Sequence, residues 1–312
     1  MFKRRQVLVS LAAGAAGMMV GSSSHSSAAE TVLPWRVGTA ITDITPPLDV
    51  GILMSSGRGA WAPFEGVRAP LHARVLVIQS GQRRVGLVSL DLLGLADEAV
   101  GGMPAFKERI VTAGDRVIAA EDLVLASTHT HSGPESLALS ELYKTQPFQD
   151  WVRALAERIG VALAEAGQAM RPARLAARTG HAPGLSENRR IKTSRGITVA
   201  RAVRPTDTVL GPEGPADSRV LVLAFLDGMD RPLAVLVNAT AHPVYEMCIK
   251  QISPDYPGEF CRMLESRHGG ARVLFLQGAA GNINPPNVSS GAADAVQHAE
   301  KLAGVVDQVL GE

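Results

Sequence analysis

Residues 71–93, LHARVLVIQSGQRRVGLVSLDLL, contain the pattern that decides the fold. Two runs rich in valine and leucine, Leu71–Ser80 and Arg84–Leu93, are separated by Gly81-Gln82. Aliphatic and β-branched runs joined by a short glycine turn are typical of two adjacent antiparallel strands. The sequence therefore predicts a β-hairpin in this region.

Helices and strands alternate around this hairpin. Apolar residues recur at helical spacing between Phe148 and Ala169, which predicts a long helix there. The other predicted helices are Glu98–Ala113, Pro257–Arg267 and Ala292–Leu310. The other predicted strands are Leu123–Ser127, Arg174–Thr179, Val220–Asp227, Leu233–Ala239 and Val273–Gln277. This alternation indicates an α/β domain with a large mixed sheet and flanking helices.

Residues 192–217 do not follow either periodicity. Glycine, proline and charged residues are mixed there, and the segment includes GPEGP at residues 211–215. We predict a long surface loop. Loops of this length in a domain are usually functional, so it either borders a substrate groove or is a mobile linker.

The N-terminus has the composition of an export signal. A basic start at residues 3–5 precedes an apolar Ala/Gly-rich stretch, Val7–Val20, and small residues follow at 27–29. This order predicts a signal peptide over residues 1–29 and a catalytic domain over residues 30–312. The pair Arg4-Arg5 favours the twin-arginine route over general secretion, and either route predicts a periplasmic or secreted protein.

Charge and hydropathy restrict the partners. The chain has 31 basic and 30 acidic residues, and removal of residues 1–29 leaves 28 basic against 30 acidic. This near-neutral balance does not indicate a nucleic-acid partner. No segment after residue 29 is long and apolar enough to predict a transmembrane helix in the mature chain.

The two cysteines, Cys248 and Cys261, have two interpretations. An oxidising periplasm permits a disulfide across the short loop between them. The alternative is a pair of buried thiols that pack as small apolar groups. Sequence spacing alone does not distinguish these arrangements, because the Cβ atoms must also meet.

Histidines follow two of the predicted strands, at the points where the strands end. His129 and His131 lie in HTHSGP at residues 129–134, and His242 lies between the strand Leu233–Ala239 and a proline. In extended backbone His129 and His131 point the same way, so both can face one metal ion, or one can handle a proton. We predict that these histidines converge on one site. The remaining histidines are predicted to be solvated or structural: His72, His181, His268 and His298.

A glycine-rich segment, QGAAGNINP at residues 277–285, directly follows another predicted strand. Its glycines allow the backbone to approach a ligand, and its amides can line an anion or oxyanion pocket. The alternative is an ordinary turn that is capped by Asn282 and Asn284.

Seven motifs along the sequence resemble those of a known family. In this order they resemble motifs of the neutral/alkaline non-lysosomal ceramidases: Gly38–Pro47, Ser89–Gly94, Thr128–Pro134, Asn188-Arg189, Ala241–Pro243, Asp255–Gly258 and Gly278–Pro285. The string HTHSGP at residues 129–134 is the most diagnostic of them. The resemblance implies a mixed α/β catalytic domain that holds one zinc ion and hydrolyses an N-acyl bond with zinc-activated water.

The same resemblance implies roles for individual residues. His129 and His242 match the two histidine zinc ligands of the family. His131 matches a histidine beside the metal that handles protons, and Arg189 matches an arginine that steadies the substrate or the developing oxyanion. The residues implied in substrate binding are Asp43, Asp255, Asn282 and Asn284. The implied partner is a small-molecule or lipid-like N-acyl substrate.

Two departures from the family pattern change what the resemblance implies. Asn284 stands where the family's Gly-Asp-Val-Ser-Pro motif has serine, so the implied reaction is amide or related ester hydrolysis rather than ceramide hydrolysis itself. The family's other zinc ligands, a glutamate and a tyrosine, lie beyond this motif, and this sequence ends at Glu312. His131, Asp91 or Asp255 could substitute for them. The alternative function is a degenerate, non-catalytic periplasmic binding protein with an incomplete metal site.

Overall fold

A computed structural model describes residues 34–51, 63–200, 203–247 and 249–311. The helices are α1 (Met103–Ala113), α2 (Gln146–Gln168), α3 (Asp255–Arg267) and α4 (Ala292–Gly311). The strands are β1 (Trp35–Asp43), β2 (Gly66–Val67), β3 (His72–Ser80), β4 (Arg83–Leu90), β5 (Leu123–Ser127), β6 (Arg171–His181), β7 (Glu187–Asn188), β8 (Arg190–Thr193), β9 (Gly196–Val199), β10 (Val209–Pro212), β11 (Arg219–Leu226), β12 (Pro232–Ala239), β13 (Gln251–Ile252), β14 (Arg272–Gln277) and β15 (Ile283–Asn284). The predicted hairpin is present as β3 and β4, and the predicted α/β class is confirmed.

Eight of these strands form one mixed sheet in the order β14-β12-β11-β6-β1-β3-β4-β5. The inner pairings are antiparallel, whereas the two edge pairings, β12 with β14 and β4 with β5, are parallel. A parallel pair needs a crossover connection, which α1 supplies between β4 and β5 and α3 supplies between β12 and β14. Each edge of the sheet is therefore a βαβ unit.

The two halves of the sheet face each other across a shared apolar layer. Leu76 of β3, Leu236 of β12 and Leu274 of β14 belong to this layer. The Ser89 hydroxyl of β4 donates a hydrogen bond to the Phe275 carbonyl of β14 at 2.7 Å. The two βαβ edges of the sheet therefore lie against each other.

Residues that alternate with this inner layer face outward and pack on helices, as the two-residue period of a strand requires. Val75 of β3 belongs to a buried cluster with residues of α1 and α2, including Phe106 and Trp151. Val235 of β12 belongs to a second cluster with residues of α3 and α4, including Phe260. The layers are therefore helix, sheet, sheet and helix.

Two local predictions need correction, and one strand has no counterpart among the predicted elements. In place of a loop over residues 192–217, residues 190–212 include a three-stranded sheet, β10-β8-β9, whose strands are largely exposed and so lack an apolar period. The strand predicted to reach Leu93 ends at Leu90, because the next residues turn away toward the histidines. β1 was not predicted, since its sequence, WRVGTAITD, mixes glycine, threonine and charge.

The predictions for the signal peptide, residues 1–29, lie outside the described residues. None of the helices in the described ranges is long and apolar enough to cross a bilayer. Cys261 is a free thiol within α3, and burial raises its pKa to about 12. Cys248, the other member of the predicted pair, also lies outside the described residues.

Candidate metal centre

His129 and His242 occupy similar places at the two parallel edges of the sheet. His129 follows the end of β5, at Ser127, and His242 follows the end of β12, at Ala239. The Nε2 atoms of the two imidazoles lie 3.2 Å apart. The fold therefore brings together two strand ends that are separated by more than a hundred residues of sequence.

Each of these imidazoles is oriented by a backbone carbonyl. Nδ1 of His129 lies 2.6 Å from the Leu93 carbonyl oxygen, and Nδ1 of His242 lies 2.7 Å from that of Ala280. A carbonyl only accepts hydrogen bonds, so each Nδ1 carries a proton, and in a neutral ring the lone pair is then on Nε2. Two lone pairs that face each other repel unless a cation lies between them.

The spacing of these lone pairs fits a metal. Zinc binds histidine nitrogen at about 2.0–2.1 Å with tetrahedral angles, which places two ligand nitrogens about 3.3–3.4 Å apart. The observed 3.2 Å between the Nε2 atoms of His129 and His242 is close to this value. The group of His129, His131 and His242 could therefore bind a metal ion.

His131 is the third member of this group. Its ring centroid lies 5.0 Å from that of His129 and 5.3 Å from that of His242, and the ligand atoms of all three lie within 4.8 Å of one another. Burial lowers the pKa of His131 to about 3, and the charges of His129, His242 and Arg189 act in the same direction. Burial also lowers the pKa of His242. Both rings are thus neutral at neutral pH, as metal ligands must be.

The backbone of His129 is in the left-handed region, with φ of 72°. A residue with a Cβ atom pays about 1–2 kcal/mol for this conformation. The backbone N–H of His129 donates to the Leu92 carbonyl at 2.9 Å, next to the carbonyl that orients its ring. The neighbouring strand end therefore holds His129 in a strained conformation.

Main-chain groups that precede α3 support the rest of the 129–134 loop. The Thr130 hydroxyl donates to the Ser253 carbonyl at 2.8 Å, and the Ser132 hydroxyl donates to the Glu246 carbonyl at 2.7 Å. The backbone N–H of Ser253 donates back to the Ser132 carbonyl at 2.8 Å. All four of these residues are fully buried, so these bonds are shielded from water.

Arg68 joins this support to a cluster of carboxylates. Its guanidinium donates to Glu246 and to the Ser253 hydroxyl, each at 2.8 Å, and to Glu259 at 3.1 Å. The Glu246 side chain is fully buried, whereas that of Arg68 is 23% exposed. A buried carboxylate is stable only with such partners, so Arg68 is what permits a charged Glu246 behind the histidine loop.

Arg189 lies on the other side of the site, against the 277–285 segment. Its backbone N–H donates to the Asn282 carbonyl at 2.8 Å, and its guanidinium donates to the Gly281 carbonyl at 2.5 Å. Its charge contributes to the lowered pKa of both His131 and His242. A cation whose charge acts on both imidazoles can stabilise an anion that forms beside them.

The two predicted carboxylates, Asp43 and Asp255, hold local structure. Asp43 is exposed at the end of β1 and accepts a hydrogen bond from the Thr45 N–H at 2.7 Å. Asp255 is fully buried at the start of α3 and accepts from the N–H groups of Glu246 and Tyr256 at 2.8 and 2.7 Å. Burial raises the pKa of Asp255 to about 7, against the effect of these donors.

The remaining predicted residues lie near the site or within the fold. Asn282 is exposed, and its carbonyl accepts from Arg189, whereas Asn284 lies in β15 opposite Glu187. Asp91 accepts from the His72 N–H at 3.0 Å and from the Arg74 guanidinium at 2.9 Å. Within the described part of the chain, the metal-binding group consists of histidines alone.

Two parts of the site were missed by sequence reasoning. The carbonyls of Leu93 and Ala280 orient the histidine rings, but any residue type can supply a carbonyl, so no residue pattern identifies them. Gly278 has a different role from the predicted approach to a ligand. A Cβ atom at Gly278 would lie 2.0 Å from the Thr240 hydroxyl oxygen, so this glycine lets the ends of β14 and β12 approach each other.

No protein-family model matches the chain. The chain is 28% identical to the neutral ceramidase of Pseudomonas aeruginosa over 269 residues, which cover 81% of this chain and 37% of that relative. The chain contains a neutral ceramidase-like domain. The resemblance that the sequence motifs predicted is confirmed.

Solved structures agree on the fold of the neutral ceramidase-like domain. The crystal structure of neutral ceramidase from Pseudomonas aeruginosa superposes on 90% of this chain with a TM-score of 0.69 at 22% identity. A ceramidase complexed with C2 superposes on 90% of the chain with a TM-score of 0.68 at 21% identity. The chain spans less than half the length of these proteins, 45% and 44% respectively.

Proposed function

We propose that the neutral ceramidase-like domain is an exported zinc-dependent hydrolase that cleaves an amide (N-acyl) bond or a related ester bond. The observation that carries the proposal is the 3.2 Å separation of the Nε2 atoms of His129 and His242, whose rings are each oriented by a carbonyl at Nδ1. The resemblance to a neutral ceramidase supports an N-acyl, lipid-like substrate. The signal-peptide pattern of residues 1–29 supports export.

The three histidines have distinct parts in this proposal. His129 and His242 would hold the zinc ion, since their lone pairs already converge. A catalytic zinc site has three protein ligands and one open position, and His131 is the neighbouring group that can complete it or accept a proton beside it. A bound zinc ion would supply Lewis acidity, which polarises a carbonyl and lowers the pKa of water to about 7.

Arg189 and Asn282 would contact the substrate, and the residue at position 284 bears on the choice of nucleophile. The Arg189 guanidinium would stabilise the oxyanion that develops as the carbonyl is attacked. Asn284 has no nucleophilic oxygen or sulfur, so attack by water suits this sequence better than attack by a side chain at that position. The exposed Asn282 amide lies beside Arg189 and would contact the substrate.

A second function is a binding protein that holds an N-acyl ligand without hydrolysing it. It is favoured by the spacing of the three rings, because a catalytic zinc site needs a third protein ligand beside His129 and His242. The ring centroid of His131 lies 5.0 and 5.3 Å from those of His129 and His242, which are 4.8 Å from each other. Turnover distinguishes the two functions.

The test is hydrolysis of a panel of fluorogenic N-acyl amines and acyl esters by the purified protein. We expect activity that a chelator removes and added zinc restores. Arg189→Leu should lower kcat by at least about tenfold at unchanged zinc content, because an oxyanion donor is lost. Arg190→Leu is the matched control, since Arg190 pairs with Glu213 at the surface. Zinc-loaded protein that binds these compounds but hydrolyses none of them would overturn the hydrolase and leave the binding protein.

A further inference from the structure

The carbonyl of Ala241, the residue before His242, accepts hydrogen bonds from two side chains. Gln277 Nε2 donates to it at 2.5 Å, and the Tyr256 hydroxyl donates to it at 2.7 Å. A carbonyl oxygen has two lone pairs, so these two donors saturate it. Gln277 is the last residue of β14 and Tyr256 lies in the first turn of α3, so two separate elements hold one peptide group.

Tyr256 is itself held rigidly. It is fully buried, and its ring centroid lies 4.0 Å from that of His298 on α4. The ring of Tyr256 also meets the edge of the Phe275 ring at a centroid distance of 5.6 Å, so it is packed from two sides. The hydroxyl of Tyr256 is therefore presented to Ala241 from a packed support and not from a flexible side chain.

The same peptide group is held at its other end. The backbone N–H of His242 donates to the Ile283 carbonyl at 3.1 Å, while the carbonyl on the opposite side of the peptide accepts from Gln277 and Tyr256. A planar peptide that is bonded at both ends cannot rotate without breaking one of these bonds. The backbone position from which the His242 side chain extends is therefore fixed before any ligand binds.

We propose that Gln277 and Tyr256 are positioning residues that direct Nε2 of His242 toward His129, a role that rests on the metal site proposed above. Both act through the Ala241 carbonyl rather than by contact with a bound metal. Outer partners of metal ligands typically change metal affinity by about 10–100-fold when they are removed. Loss of either donor should therefore weaken metal binding while leaving the ligands in place.

The test is zinc affinity, measured by competition with a chromophoric chelator. Gln277→Leu and Tyr256→Phe should each bind zinc about tenfold more weakly than the wild type, and the double variant more weakly than either. Tyr245→Phe is the matched control, because it removes a hydroxyl from the same aromatic cluster but leaves both donors to Ala241. Its zinc affinity should equal that of the wild type even if its Tm falls. Equal losses in all three variants, or unchanged affinity in Gln277→Leu and Tyr256→Phe, would overturn the positioning role.

A second readout separates this role from the proposed function. In nitrogen-15 NMR of the metal-free protein, His242 should be a single Nδ1–H tautomer in the wild type and a mixture of tautomers in Gln277→Leu and Tyr256→Phe. If the wild type binds no zinc but the variants show this mixture, the hydrolase fails and the positioning of the ring stands. If zinc binds but neither tautomer nor affinity changes, the positioning fails and the metal site stands.

Discussion

Each of the two βαβ edges of the sheet places one histidine in the site, and the two histidines are held by similar but not identical contacts. His129 follows β5, and its N–H and Nδ1 lie against carbonyls that follow β4. His242 follows β12, and its N–H and Nδ1 lie against carbonyls that follow β14. His129, at the β4–β5 edge, is held in left-handed backbone by this main chain. His242, at the β12–β14 edge, has a preceding carbonyl that the side chains of Gln277 and Tyr256 hold.

The difference shows that two imidazoles can be held in one site by two kinds of support. At the β4–β5 edge the loop stores backbone strain, and the buried contacts of Thr130 and Ser132 with the segment before α3 balance it. At the β12–β14 edge two side chains fix a relaxed peptide. Substitutions at the β4–β5 edge should therefore change the backbone strain and the buried contacts that balance it. Substitutions at the β12–β14 edge should change the side-chain donors and the packing that holds them.

The largest expected effect is on the support of the β4–β5 edge. Arg68→Met leaves Glu246 buried without its cation, which should lower the free energy of unfolding by about 3–5 kcal/mol. Urea denaturation of the metal-free protein measures this. Lys250→Met is the matched control, since Lys250 and Glu65 form an exposed ion pair, and it should cost less than about 1 kcal/mol. Similar losses in the two variants would mean that the cluster does not support the loop.

The packing of the β12–β14 edge should depend on pH through His298. Burial lowers the pKa of His298 to about 3, and the charge of Lys301 adds to this effect. The unfolded chain, with an ordinary histidine pKa of about 6.5, then binds a proton that the folded chain does not. The stabilisation is therefore complete above about pH 6.5 and is lost as the pH falls toward 3, by about 1.4 kcal/mol per pH unit.

This prediction is tested by the slope of unfolding free energy against pH between pH 6 and pH 4. His298→Phe should have a shallower slope than the wild type by one proton. Tyr245→Phe removes the hydrogen bond to His298 but keeps the histidine, so it should keep the wild-type slope. Equal slopes in His298→Phe and the wild type would contradict the buried neutral histidine.

The smallest expected effect distinguishes the strained edge from the relaxed one. At position 129, where φ is 72°, glycine should be more stable than alanine by about 1 kcal/mol, because only the residue without a Cβ atom adopts this conformation freely. At position 242 the order should reverse, with alanine favoured by about 0.4–1 kcal/mol through the entropy of the unfolded chain. Thermal unfolding of His129→Gly, His129→Ala, His242→Gly and His242→Ala measures both differences. The same order at both positions would refute the comparison.

Much of this architecture could be predicted from local patterns. The β3–β4 hairpin, the α2 helix and the strand ends that carry His129 and His242 all follow from apolar periods and turn residues. The strands β8, β9 and β10 could not be predicted this way, because most of their side chains are exposed and no apolar alternation distinguishes them from a loop.

The orienting groups of the site could not be predicted for a different reason. The carbonyls of Leu93, Ala280 and Ala241 accept the hydrogen bonds that orient the site, and every residue type has a backbone carbonyl. Their donors become partners only when the two strands of each parallel pair lie side by side, a tertiary arrangement that local sequence does not encode. The motif around Gln277 and Gly278 signals such a constraint, but it predicts close approach without naming the partner.

The most direct test of the central claim is the zinc content of the purified protein by elemental analysis, after zinc has been supplied and excess removed. We predict close to one zinc per chain in the wild type and in His181→Ala, a control at an exposed histidine. His129→Ala and His242→Ala should each contain almost none. Wild-type protein that stays free of zinc, or His129→Ala and His242→Ala proteins that retain it, would contradict a metal site formed by the two strand ends.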